Sequence, residues 1–244
     1  CSHEYFHTWN VKRIKPVAFT PYDLARENHT RLLWAFEGFT SYYDDLMLVR
    51  SQRISLDDYL ALLAKTITQV HKGTGRRKQS VAESSFDAWV KYYRQDENSP
   101  NAIVSYYQKG SMIGLALDLT IRQQTAGANS LDDVMRALWS RYGKTGIGVP
   151  EGGLEAAASE VTGIDLHAFF EHAVHGTGDL DLDHLRRSLA VGGDHPQGKI
   201  AKDYKKDWPV GLPDLINSHD WKVGSWVNQN DFFYYTGDIA ALNK

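Results

Sequence analysis

Apolar residues recur at helical spacing along most of this chain. Between residues 31 and 50, Leu32, Leu33, Phe36, Phe39, Tyr43, Leu46 and Met47 follow a 3.6-residue period, which predicts a buried helix. Ser55 stands where an N-cap belongs and Asp58, three residues on, makes a near capping box; Leu60, Leu63 and Ile67 carry the stripe on to Gly73. From 73 to 101 the period is lost among charges, glycines and Pro100, so a long irregular segment edging a cleft is expected. The helical pattern returns over 102–125, which holds Tyr106, Tyr107, Leu115 and Leu119, and again behind a cap at Ser130 through Trp139 and Tyr142. An interruption at 146–150 precedes two short helices, 151–161 and 165–174, the second bounded by Gly163 and Gly176, and a last helix at 182–190. From Gly192 the character changes to Gly, Asp, Lys and Trp, with β-like runs at Trp226-Val227 and Phe232-Phe233-Tyr234-Tyr235. The expected fold is mainly α, with an irregular or weakly β carboxy-terminal tail. The division falls between residues 1–192 and 193–244, and Trp208, Trp221 and Trp226 are expected to cluster in the tail.

Composition bounds the object. At 244 residues and 42% hydrophobic content the chain can bury a full core. A net charge of −3 gives no broad basic field for nucleic acid or an anionic membrane, and the basic cluster Arg76-Arg77-Lys78 sits among glycines as a solvated loop would. No apolar run reaches the roughly 18 residues that span a bilayer, so membrane insertion is not expected. The single cysteine, Cys1, excludes an internal disulfide and a four-cysteine zinc site, and leaves the compartment open between cytoplasm and periplasm.

The chemistry is concentrated at the start. His3-Glu4-Tyr5-Phe6-His7 spells H-E-x-x-H, which on a helix projects both imidazoles from one face, either as a metalloprotease helix or as a chance match. A third ligand strengthens the first reading. Glu37 lies in the apolar stretch Leu32-Leu33-Trp34-Ala35-Phe36-Glu37-Gly38-Phe39-Thr40, where a lone carboxylate is costly and needs a partner. Two imidazoles and one carboxylate make the tripod of a catalytic zinc; a salt-bridged core acid is the plain alternative. Asp44, at i+7 from Glu37, returns to the same face and could orient a ligand, against a simpler reading as a solvated acidic helix end with Asp45.

The run from His3 to Pro16, then Glu27-Asn28, Leu33-Trp34 and Glu37-Gly38-Phe39-Thr40-Ser41-Tyr42-Tyr43-Asp44-Asp45 resembles the glycyl aminopeptidase family. Phe86-Asp87-Ala88-Trp89, Glu97-Asn98-Ser99-Pro100-Asn101 and Tyr106-Tyr107-Gln108-Lys109-Gly110 continue the likeness in order, so that it covers about residues 2–192. These are gluzincin metallopeptidases with a thermolysin-like catalytic domain, usually with a PDZ domain. The resemblance implies one zinc ion held by His3, His7 and Glu37, with Glu4 acting as general base on the water. Tyr107 matches a Tyr-x-Lys-Gly element that supplies an oxyanion donor in related aminopeptidases; Tyr106, next to it on the expected helix, cannot share its face. Asn10, Arg13 and Asn28 belong to the same signature and could line the cleft or scaffold it. The chain reads as a piece of a longer polypeptide that starts at the zinc helix, without the sheet and the Gly-x-Met-Glu-Asn-like segment that the resemblance implies for meeting a free amine. The tail shows no Gly-Leu-Gly-Phe-like loop of a PDZ domain.

The expected function is zinc-dependent removal of small amino-terminal residues, glycine or alanine, from peptide substrates. Two other readings stand beside it: a truncated, catalytically impaired relative serving as a zinc-binding or protein-interaction module, and a metal hydrolase acting on something other than peptides.

Overall fold

Local capping and burial set the order of elements in the computed structural model, which describes residues 2–182 and, in the tail, the backbone of 226–229 and 232–235. Helix α1 (Ser2–Phe6) carries the first histidine, and a further bond from His7 N–H to the His3 carbonyl (3.1 Å) extends its turn to the second. Helices α2 (Leu33–Phe36) and α3 (Gly38–Arg50) form the predicted 31–50 run, parted only at Glu37, across which the i→i+4 bonds continue. The Trp34 N–H at the start of α2 is satisfied by Ser85 Oγ at 2.8 Å. Helix α4 (Leu56–Lys72) opens on the predicted Ser55/Asp58 capping box, ends at Gly73 and buries Tyr59, Leu63 and Val70.

The segment from 73 to 101 is a correction. In place of an irregular loop it holds a 3-10 turn (Thr74–Arg77), helix α5 (Val81–Phe86), a π-turn (Ala88–Tyr92) and helix α6 (Ser99–Ala102). Each piece is too short to show a period, but Ser80 and Glu83 form a full capping box ahead of α5. A second correction follows at the tyrosines. The helix expected over 102–125 begins later, as α7 (Gln108–Gln124), because Ile103 is extended (φ −120°, ψ 161°) and Ser105 caps the turn that follows. Ser105 Oγ accepts from Gln108 N–H at 3.2 Å and the Ser105 carbonyl from Lys109 N–H at 2.9 Å. Tyr106 and Tyr107 therefore lie in that first turn.

Helix α8 (Leu131–Leu138) starts at the Ser130/Asp133 capping box and runs into a π-turn (Trp139–Gly143). Helices α9 (Gly153–Thr162) and α10 (His167–Phe170), the latter continued by a π-turn (Glu171–His175), match the two short helices that were expected. Gly163 ends α9 at φ +70°, a left-handed conformation that suits glycine. In the tail, β1 (Trp226–Gln229) pairs antiparallel with β2 (Phe232–Tyr235), Trp226 opposite Tyr235. The rest of the predicted 182–190 helix, the domain boundary at 192, and the side chains of Trp208, Trp221 and Trp226 lie outside what the structure describes.

The molecule is mainly helical and built around α7, whose residues are buried from Lys109 to Arg122. Helix α3 crosses α7 at two glycines: a Cβ on Gly38 would come within 2.5 Å of the Gly110 Cα, and one on Gly110 within 2.5 Å of the Trp34 carbonyl oxygen. Only bare backbone fits there. Further along α3, Tyr42 donates to Asp118 (2.8 Å) and Tyr43 to Asp132 (2.7 Å), while Arg50 pairs with Asp132 and Arg122 with Asp118. These buried charges are tolerated because each faces an opposite one.

Candidate metal centre

Helix α1 packs on α3, and that contact brings the predicted residues together. The His3 and His7 rings meet edge to face with centroids 4.6 Å apart. His3 Nε2 lies 3.3 Å and His7 Nε2 3.2 Å from the same Glu37 oxygen, Oε2, and one ligand atom from each of the three residues falls within 4.8 Å of the others. The side chains are partly buried, at 25%, 12% and 18% exposure respectively, so the group keeps some contact with solvent.

The outer ring nitrogens are committed elsewhere. His7 Nδ1 is 2.8 Å from the Asn10 carbonyl, which can only accept, so this nitrogen carries the proton. His3 Nδ1 lies 3.0 Å from Asp44 Oδ2. The acidic pair at 44 and 45 is thus divided in role. Burial raises Asp44, and its hydrogen bond to His3 opposes that rise; Asp45 is pushed up to about 6 by burial and by the neighbouring Asp44 charge. The reading of Asp44 as a solvated helix end gives way to a direct contact with His3.

This arrangement turns three electron-pair donors toward one point. With Nδ1 protonated, a neutral imidazole presents a lone pair at Nε2, and an ionised Glu37 presents another. Such a cluster is stable only around a proton or a cation. Burial disfavours the charged form of His7, but the Glu37 carboxylate and the Asn10 carbonyl outweigh it and raise the pKa. Two neutral imidazoles and a carboxylate are also the donor set that suits a borderline divalent ion, so the residues fit a metal.

Asn10 resolves as scaffold. It is buried, and its Nδ2 reaches the Ala35 carbonyl (3.3 Å), the Phe36 carbonyl (3.2 Å) and Thr40 Oγ1 (3.2 Å), tying the chain after α1 to the turn that bears Glu37. Asn28 closes its own loop through bonds with Asp23 and Arg26, and Arg13 is exposed; neither belongs to the His–Glu group. Glu4 is exposed on α1 between the two histidines.

Tyr107 stands beside His3, ring centroids 6.4 Å apart. Burial pushes its phenol well above the ordinary range, helped by the Glu37 charge, so it stays protonated at neutral pH. Tyr106 is not on a separate face. Its ring stacks on Tyr107 at 4.7 Å, although Tyr106 is fully buried. Tyr93, which periodicity did not single out, lies 3.3 Å from the Tyr107 hydroxyl and 3.1 Å from that of Tyr106. A cavity of about 370 Å³ lined by Gln69, Lys72, Arg76, Tyr92 and Gln108 includes none of the three converging residues.

Residues 1–113 match the M61 glycyl aminopeptidase family. The M61 region contains the whole His–Glu group together with Glu4, Asp44, Tyr93 and Tyr107. The chain is also similar to the crystal structure of an aminopeptidase N family protein from Idiomarina loihiensis, with 45% identity and a TM-score of 0.75. That likeness covers 77% of this chain, and the chain spans 32% of the relative's length. No curated protein matches it. Among the described residues no helix is long and apolar enough to cross a membrane.

Proposed function

We propose that residues 1–192 form the helical portion of the catalytic domain of a zinc-dependent aminopeptidase that releases small amino-terminal residues, glycine or alanine, from peptides. The observation that carries this reading is the convergence of His3, His7 and Glu37 on one point, beside a motif glutamate. The M61 likeness supports the peptide substrate class.

His3, His7 and Glu37 would hold the ion, and Asp44 and the Asn10 carbonyl hold the two rings in the tautomer that binds it. Zinc, when bound, supplies Lewis acidity that polarises the scissile carbonyl and acidifies water. Glu4 takes the proton of the attacking water and returns it to the leaving amine, a role that suits an exposed carboxylate next to the ligands. Tyr107, kept protonated, donates a hydrogen bond to the carbonyl oxygen as negative charge builds on it.

The test combines metal content with turnover of aminoacyl anilides. His3→Ala, His7→Ala and Glu37→Ala should each lose stoichiometric zinc. Glu4→Gln should keep zinc and lower kcat by about 10²- to 10⁴-fold, the usual contribution of a general base. A Glu4→Gln protein with ordinary turnover overturns the mechanism, and zinc binding with no cleavage of any glycyl or alanyl substrate favours the interaction-module reading.

A further inference from the structure

The hydroxyls of Tyr93, Tyr106 and Tyr107 form a chain. A phenol has one hydrogen and donates once, while its oxygen accepts. Tyr106, fully buried, donates to Tyr93 at 3.1 Å. The Tyr93 and Tyr107 oxygens lie 3.3 Å apart, and either hydroxyl can donate to the other. With Tyr93 as donor, the Tyr107 hydrogen is free for the site. Were the chain reversed, Tyr107 would spend its hydrogen on Tyr93 and could not serve an oxyanion.

The backbone makes this possible through the π-turn at Ala88–Tyr92, whose extra residue lets two consecutive tyrosines serve one cluster. Tyr92 packs its ring at 4.7 Å from Tyr106 and 5.8 Å from Tyr107 and shares a bond with Ser105 Oγ (3.1 Å), while Tyr93 supplies the hydroxyl. Tyr93 is 59% exposed, far more than packing alone would ask of it.

We infer that Tyr93 is a positioning residue, which fixes the Tyr107 hydroxyl as a hydrogen-bond donor toward the metal-ligand group by donating to its oxygen. The inference rests on the role proposed for Tyr107. It assigns to Tyr93 no contact with substrate; its effect passes through Tyr107 alone.

Tyr93→Phe removes the hydroxyl and keeps an exposed ring, so folding and zinc content should stay as in the parent. On the zinc-loaded chain with a glycyl anilide, kcat should fall about tenfold with KM within about twofold, the split expected of an interaction made in the transition state. The Tyr93→Phe/Tyr107→Phe double variant should be no slower than Tyr107→Phe. The same cycle, measured as calorimetric affinity for a glycyl phosphinate peptide that mimics the tetrahedral state, reads the coupling without turnover and should give the same pattern. If Tyr107→Phe is impaired but Tyr93→Phe equals the parent, or if the two losses multiply, the inference is overturned while the zinc mechanism stands. If Tyr107→Phe itself is unimpaired in both measurements, the Tyr107 role and this inference fall together.

Discussion

At the scale of single residues, this site is decided by where each imidazole's second nitrogen goes. His7 is held by a carbonyl that its own loop provides, but His3 depends on a side chain, Asp44, from another helix. Asp44→Asn should therefore weaken zinc binding by roughly 10- to 100-fold, the usual cost of losing such a partner, measured by competition against a chelating dye. An unchanged affinity would return Asp44 to the acidic surface. The convergence of His3, His7 and Glu37 was legible in the sequence because H-E-x-x-H states its own geometry and because a carboxylate among Trp34, Phe36 and Phe39 requires a partner. Tyr93 was not, since nothing in a single tyrosine near a loop announces which hydroxyls it will meet after folding.

At the scale of elements, boundaries followed caps more faithfully than apolar period. Ser55/Asp58 and Ser130 placed two helix starts correctly, whereas the 73–101 stretch read as loop because its helices are a turn or two long, although Ser80/Glu83 already marked one of them. The helix around Tyr106 was misplaced for a related reason: an apolar run continues smoothly into an extended approach, and only Ser105 marks the break. The crossing of α3 and α7 yields a prediction of its own. Gly38→Ala forces a Cβ against backbone at 2.5 Å, so it should destabilise the fold by about 1–3 kcal/mol, seen as a lower thermal midpoint. It should also weaken zinc binding, because Glu37 is the next residue. Gly114→Ala, whose Cβ would come nearest to the Phe39 and Tyr42 side chains at 3.2–3.4 Å, should do less on both counts.

At the scale of the whole molecule, α3 joins the His–Glu group to a buried charge network. Its first turns follow Glu37 and carry Asp44; its later ones send Tyr43 and Arg50 to Asp132. Burial works against ionised Asp132, but Arg50 and the Tyr43 hydroxyl outweigh it and lower the pKa. A carboxylate depressed in the folded state stabilises the fold above its unfolded value, near 4, and loses that contribution as pH falls through the folded value. Asp132→Ala should thus cost about 3–5 kcal/mol at neutral pH, by leaving Arg50 buried without this partner, and the difference from the parent in urea melts should shrink in acid. A constant difference from pH 7 to pH 2 would contradict the assignment.

The glycine contact between α3 and α7 also bears on inheritance. Where two main chains touch directly, the depth of Glu37 is set by atoms common to every amino acid, and drift in the surrounding apolar side chains can change their volumes without resetting it. A lineage could remodel most of this core and still keep the carboxylate at the same distance from the two histidines, provided those two positions never acquire a side chain.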